Sequence, residues 1–131
     1  MTTTAAAAIP LVNGIEERGN IAVLLRDLHI FRTQIELYKV EHNGRPPLLY
    51  KGTFPQLTQA TDGNGVPGTP GTRFPYGPYL RLGVPPNPFS GESVVTGVEE
   101  FPPKTPTGAG GWVYDQKTGR IAPDWEGFLD K

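Results

Sequence analysis

The stretch IAVLLRDLHIFRTQIELYKVEH, Ile21 to His42, decides the fold, because its apolar residues repeat at a helical period on two separate faces. At about 100° per residue, Ile21, Leu24, Leu25, Leu28, Phe31, Ile35, Tyr38 and His42 form one broad stripe of the kind that covers a core. Val23, Ile30 and Leu37 recur every seven residues on a second face. A chain of this size has little left to bury that second row, which makes these three residues the candidate subunit interface. Asn43-Gly44 tolerates the left-handed backbone that ends a helix, and Arg45-Pro46-Pro47 cannot continue one, so the stop is well marked. At the other end, Asn13 followed by Glu16 matches a capping box and places the start at Gly14. Gly19 weakens the first turns by about 1 kcal/mol relative to Ala. A helix over residues 14–43 is a rod of roughly 45 Å, longer than a small sheet can cover.

With 131 residues and a net charge of −1, the chain suits one domain and carries no electrostatic footprint for nucleic acid or an anionic membrane. The absence of Cys excludes disulfides, thiolate metal sites and thiol nucleophiles. Seventeen Gly and fifteen Pro make the chain rich in loops, yet it is too apolar to be disordered. Met1 to Val12 is too short to span a membrane and lacks the pattern of a secretory signal. Residues 1–13 are expected to be flexible, and residues 14–131 to form one globular domain.

Beyond Gly44 the chain is punctuated. Phe54-Pro55-Gln56-Leu57 predicts a short helix or turn entered at Pro55, and Thr61 to Gly71 a solvated loop. Three prolines exclude a central strand from Val84 to Phe89. Ser93 to Glu99 and Gly111 to Asp115 read as strands, the second pairing with Arg120 to Ala122 across a turn in which Gly119 takes positive φ. Trp112, Tyr114 and Ile121 then alternate onto one face, against the helix. The expected class is α+β, with one long N-terminal helix, a loop-rich middle and a small antiparallel sheet.

The run Asp27 to Gly44 resembles the helix end of type II secretion pseudopilins of the major, G-type class. Gly77-Pro-Tyr-Leu80, Pro86-Asn-Pro-Phe89 and Gly111 to Ile121 resemble the loop and terminal hairpin of a bacterial branch of that family, in the same order. Ala7-Ala8-Ile9-Pro10 is similar to the Ile-Pro that closes the first half of a pilin membrane helix. The resemblance implies a pilin-like fold and a structural subunit that supports protein export, its partners being other pseudopilin subunits and inner-membrane secretion machinery. It also implies a full-length protein anchored in the inner membrane with a periplasmic domain, and no enzymatic activity. Family members begin with a basic leader, a cleavage site and an apolar stretch, which Met1 to Thr4 do not match; the resemblance therefore implies that residues 1–13 are a truncated or replaced anchor region, and the chain as given is expected to be soluble. The alternative is a soluble binding or adhesive module that uses its Pro-rich surface loops.

Other chemistry is weakly signalled. His29 and His42 lie on different helix faces and cannot share a metal within one chain. Ser90 and Ser93 have no His or acid at a triad spacing, and Glu99 and Glu100 are expected on a solvated edge. G-type pseudopilins hold calcium in a C-terminal loop, but the spacing of Asp124, Glu126 and Asp130 does not carry that site over. Asp62-Gly-Asn64-Gly65 has the start of a calcium loop, and Val66-Pro67-Gly68 supplies none of the further side-chain oxygens. No cofactor is expected, with calcium the one alternative. Pro85-Pro86-Asn87-Pro88 suits either polyproline recognition or a rigid turn, and Trp125 and Phe128 either a lid on the domain or a contact with another subunit.

Overall fold

The computed structural model describes the backbone from Thr2 and the side chains from Gly14. The first helix, α1, runs Thr2–Glu41, about 60 Å at 1.5 Å per residue. It passes Asn13 without a break, so the capping box is not its start; the Ala-rich run upstream, the strongest helix-forming composition, extends it. The expected flexible segment 1–13 lies outside the described side chains. The stop falls where Asn43-Gly44 places it. Asn43 sits at φ 59° and Gly44 at φ 79°, and the Gly44 N–H donates back to the Lys39 carbonyl at 2.7 Å.

The core stripe is narrower than its sequence pattern. Leu24, Leu28, Phe31, Ile35, Tyr38 and His42 are buried, whereas Leu25 is 42% exposed and Ile21 half-buried. Leu25 sits about 100° around from Leu24, beyond the edge of the surface that α1 covers.

A short α2, Pro55–Thr58, follows, with Leu57 buried beneath it. Residues expected to be a solvated loop contain a small hairpin instead, β1 (Ala60–Thr61) paired antiparallel with β2 (Pro67–Gly68). Thr61 is buried because its side chain meets His42 at the end of α1. Pro67 is tolerated there because β2 is an edge strand.

The main sheet has three strands in the order β3 (Val95–Gly97), β4 (Trp112–Asp115), β5 (Arg120–Pro123). The terminal hairpin of β4 and β5 pairs as expected, Tyr114 opposite Ile121, with Gly119 at φ 83°. A Cβ on Gly119 would also press on Ile35 and Lys39 of α1 at 3.3 to 3.4 Å, so the turn lies directly on the helix. The sheet is mixed, not antiparallel: β3 runs parallel to β4. Residues 98–111 between them are long enough for the crossover that parallel strands require. Gly111 makes the pairing possible, since a Cβ there would lie 2.0 Å from the Val94 carbonyl oxygen.

Trp112, Tyr114 and Ile121 face α1 and close the core with Phe54 and Leu57. Phe31 stands edge-on to both Phe54 and Trp112, with ring centroids 5.7 and 5.4 Å apart. The opposite face of the sheet buries Val113, Ala122 and Leu129 under Val98 and Phe101. Replacing Phe31 with Ala should cost about 3–5 kcal/mol, because the two rings cannot both collapse into the space. Chemical denaturation of the wild type and Phe31→Ala measures this directly.

Candidate functional site

Two of the three interface candidates line a single groove. Ile30 and Leu37 are 44% and 45% exposed, and together with Asp27, Gln34 and Glu41 they form its helical wall. The other wall is the loop Gly77 to Pro85, and the enclosed volume is about 610 Å³. Val23 is half-buried and does not line the groove, so the seven-residue row is split.

The loop is held by backbone and side chain together. Both Tyr79 and Leu80 donate their N–H groups to the Leu57 carbonyl, at 2.9 and 2.8 Å, which fixes the loop to α2. Tyr79 turns inward, edge-on to Tyr38, and its hydroxyl donates to Glu41 Oε1 at 2.6 Å. Leu80 is buried while Leu82, two residues on, is fully exposed. The sequence of Gly77 to Leu80 does not disclose its role as a wall, because backbone bonds to a distant residue place it. The signal available was the pair Leu80 and Leu82, more apolar surface than one small loop can bury.

Burial, then the Glu41 carboxylate, pushes the Tyr79 phenol well above the usual tyrosine range. Tyr114 rises for the same first reason, with Asp115 adding to it, and its hydroxyl donates to the Pro47 carbonyl at 2.7 Å. Tyr38 is also raised, mainly by burial.

The remaining polar candidates serve the fold. His42 stacks on Tyr38, its ring centroid 3.7 Å away. Its Nδ1 lies 2.7 Å from the Tyr38 carbonyl, which can only accept, so Nδ1 donates there; Nε2 meets Thr61 Oγ1 at 2.9 Å. His29 is exposed on another face. Asp62 Oδ1 accepts from the N–H groups of Asn64 and Val66, both at 2.9 Å, so this carboxylate closes its own turn. Asp124, fully buried, accepts from the Thr107 hydroxyl and from the Thr107 and Gly110 N–H groups, tying the crossover loop to β5. Glu126 and Asp130 are exposed. Among the described residues no group of three or more His, Cys, Asp or Glu is arranged to hold a metal ion.

Ser90 donates to the Gly110 carbonyl and accepts from the Glu92 N–H, as a turn serine does. Glu99 and Glu100 are exposed beyond β3, and Glu99 lies 3.3 Å from Lys117. The Pro85–Pro88 segment is extended and leads into a turn in which the Ser90 and Gly91 N–H groups donate to the Asn87 carbonyl at 3.2 and 2.7 Å. Asn87 is buried in it, donating from Nδ2 to the Gly111 carbonyl, while Trp112 Nε1 donates to the Pro85 carbonyl at 2.8 Å. Trp125 stacks on Phe89 at 5.5 Å and Phe128 packs on the same ring, forming a lid on the domain. Among the described residues no helix is long and apolar enough to cross a membrane. No protein-family model, curated protein or solved structure matches the chain.

Ile30→Asp should change the stability of the isolated chain by no more than about 0.5 kcal/mol, since the side chain is already half in water. A denaturation midpoint that falls as far as that of Phe31→Ala would make this face part of the core. The tyrosines set a pH dependence. A phenol whose folded pKa exceeds its unfolded value contributes stability that is complete below the unfolded value and is lost as pH rises through the folded one. The melting temperature should therefore be flat from about pH 8 to 9.5 and fall above about pH 10, the ordinary tyrosine value. Absorbance of tyrosinate during alkaline titration should show Tyr79 and Tyr114 ionising last, with unfolding.

Proposed function

We propose that the protein is a structural subunit of a filament-like assembly of the type II secretion pseudopilus or type IV pilus kind, supporting protein export. The observation that carries the reading is the exposure of Ile30 and Leu37 on a helix whose opposite face already fills the domain's own core. Ile15 and Val40 add to it at 57% and 79% exposed on the same rod. Scattered apolar side chains are ordinary on a surface. A rigid helix that presents them along its length, however, offers neighbouring copies repeated apolar contacts. The order of helix, loop and terminal hairpin agrees with the family resemblance, and the role needs no catalytic group.

In this reading the partners are further copies and related subunits, together with inner-membrane secretion machinery, and the globular domain stands in the periplasm. The test is Ile30→Asp in cells that make the protein alongside its native neighbours. Assembly places an unpaired carboxylate between apolar helices, so filament formation or export should be lost while the protein persists at its normal level. Normal export by the Ile30→Asp variant would end the proposal.

The groove beside Ile30 favours one second reading, a binding module whose loops take a partner. That reading predicts that Leu82→Asp, at the fully exposed tip of the outer wall, abolishes partner capture by an otherwise monomeric protein.

A further inference from the structure

The flank of α1 away from that groove faces a second depression, of about 800 Å³, between the helix and the terminal hairpin. Its charge runs against the rest of the molecule. Counted over side chains, Arg32, Lys39, Arg120 and Lys131 face only Glu36 and Asp130, an excess of two positive charges on a chain whose total is −1.

The cations are positioned, not merely nearby. Arg32 donates from Nη1 to the Lys131 carbonyl and from Nη2 to the Ile121 carbonyl, both at 2.9 Å. Those bonds fix the guanidinium and use two of its five N–H donors, leaving three. Arg120 lies over the Phe101 ring at 4.6 Å and reaches the Phe101 carbonyl at 3.4 Å. Neither guanidinium has a side-chain carboxylate within 4.0 Å among the described residues. Burial and then the charge of Arg120 lower the pKa of Arg32. Lys39 is shared, 3.4 Å from both Glu36 Oε1 and the Thr118 carbonyl.

We propose that this depression is a binding site for a doubly charged phosphoryl group, gripped by Arg32 and Arg120 with Lys39 at its side and Phe101 as a wall. Planar guanidinium forks suit the tetrahedral oxygens of such a group, and its charge of about −1.5 to −2 at neutral pH lets it engage both arginines at once. A soluble phosphate monoester and the monoester headgroup of phosphatidic acid share this chemistry. The inference rests on this flank alone and stands or falls independently of the assembly reading, which concerns Ile30 and Leu37.

The test uses the full chain and two probes, inorganic pyrophosphate in calorimetry and sedimentation with vesicles containing phosphatidic acid. Arg120→Gln is the principal variant because Arg120 is exposed and its loss leaves the core intact. Lys39→Gln is the second. Saturable pyrophosphate binding with a dissociation constant of about 1 mM or tighter, weakened about tenfold by either variant, supports the site with a soluble ester as ligand. Vesicle binding that both variants abolish, without pyrophosphate binding, supports the same site with a headgroup as its source. Binding that neither variant changes overturns the proposal, as does no saturation by either probe below about 10 mM at low salt.

Discussion

The structure depends on the seating of the terminal hairpin against one face of α1. Trp112, Tyr114 and Ile121 come down from β4 and β5 onto Leu24, Leu28, Phe31 and Ile35, and the sheet is too small to hold its shape without that contact. A sheet of three strands of only three or four residues each is small, and a strand cluster of that size needs a packed face to persist. The Gly119 turn resting on Ile35 and Lys39, and the Tyr114 hydroxyl reaching the Pro47 carbonyl, tie the turn end of the hairpin to the helix and its exit.

Much of this was legible because it is local or periodic. The helix stop needed only Asn43-Gly44 and the prolines after it, and the terminal hairpin needed only alternation about a Gly turn. The parallel pairing of β3 was not legible as read. Alternation identifies a strand but not its direction, and the deciding clue was the length of residues 98–111, too long for a hairpin and suited to a crossover. The β1–β2 hairpin was hidden for another reason. Two-residue strands have no periodicity, and Thr61 is buried by a tertiary contact with His42 that its own segment cannot announce.

The candidate site divides in the same way. Ile30 and Leu37 could be read from their seven-residue spacing, since a helix face is a property of the sequence. The loop that turns their surroundings into a groove could not, because Tyr79 and Leu80 are placed by bonds to Leu57, more than twenty residues earlier in the chain. Val23 shares the spacing but lies beyond the reach of that loop, so a regular pattern gave an irregular surface. Asp124 and Asn87, both fully buried, were equally silent. Each satisfies backbone donors or acceptors of a distant loop, and a lone Asp or Asn in a Pro- and Gly-rich sequence does not disclose which loop it will serve.

One helix therefore carries three chemistries around its circumference. The face toward the hairpin is apolar and closed, and it must be, since a cavity beside Phe31 leaves two aromatic rings without contact. Because that face anchors the helix, the two flanks are free to differ. On one, Ile30 and Leu37 lie open to the Tyr79–Leu82 loop, where apolar surface can be removed from water only by something outside the domain. On the other, Arg32 spends two donors on β5 and Lys131 and lines a depression with Lys39 and Arg120. The flanks are independent because they share no side chain, only the rigid rod between them, so a substitution in one groove reaches the other only by disturbing the core.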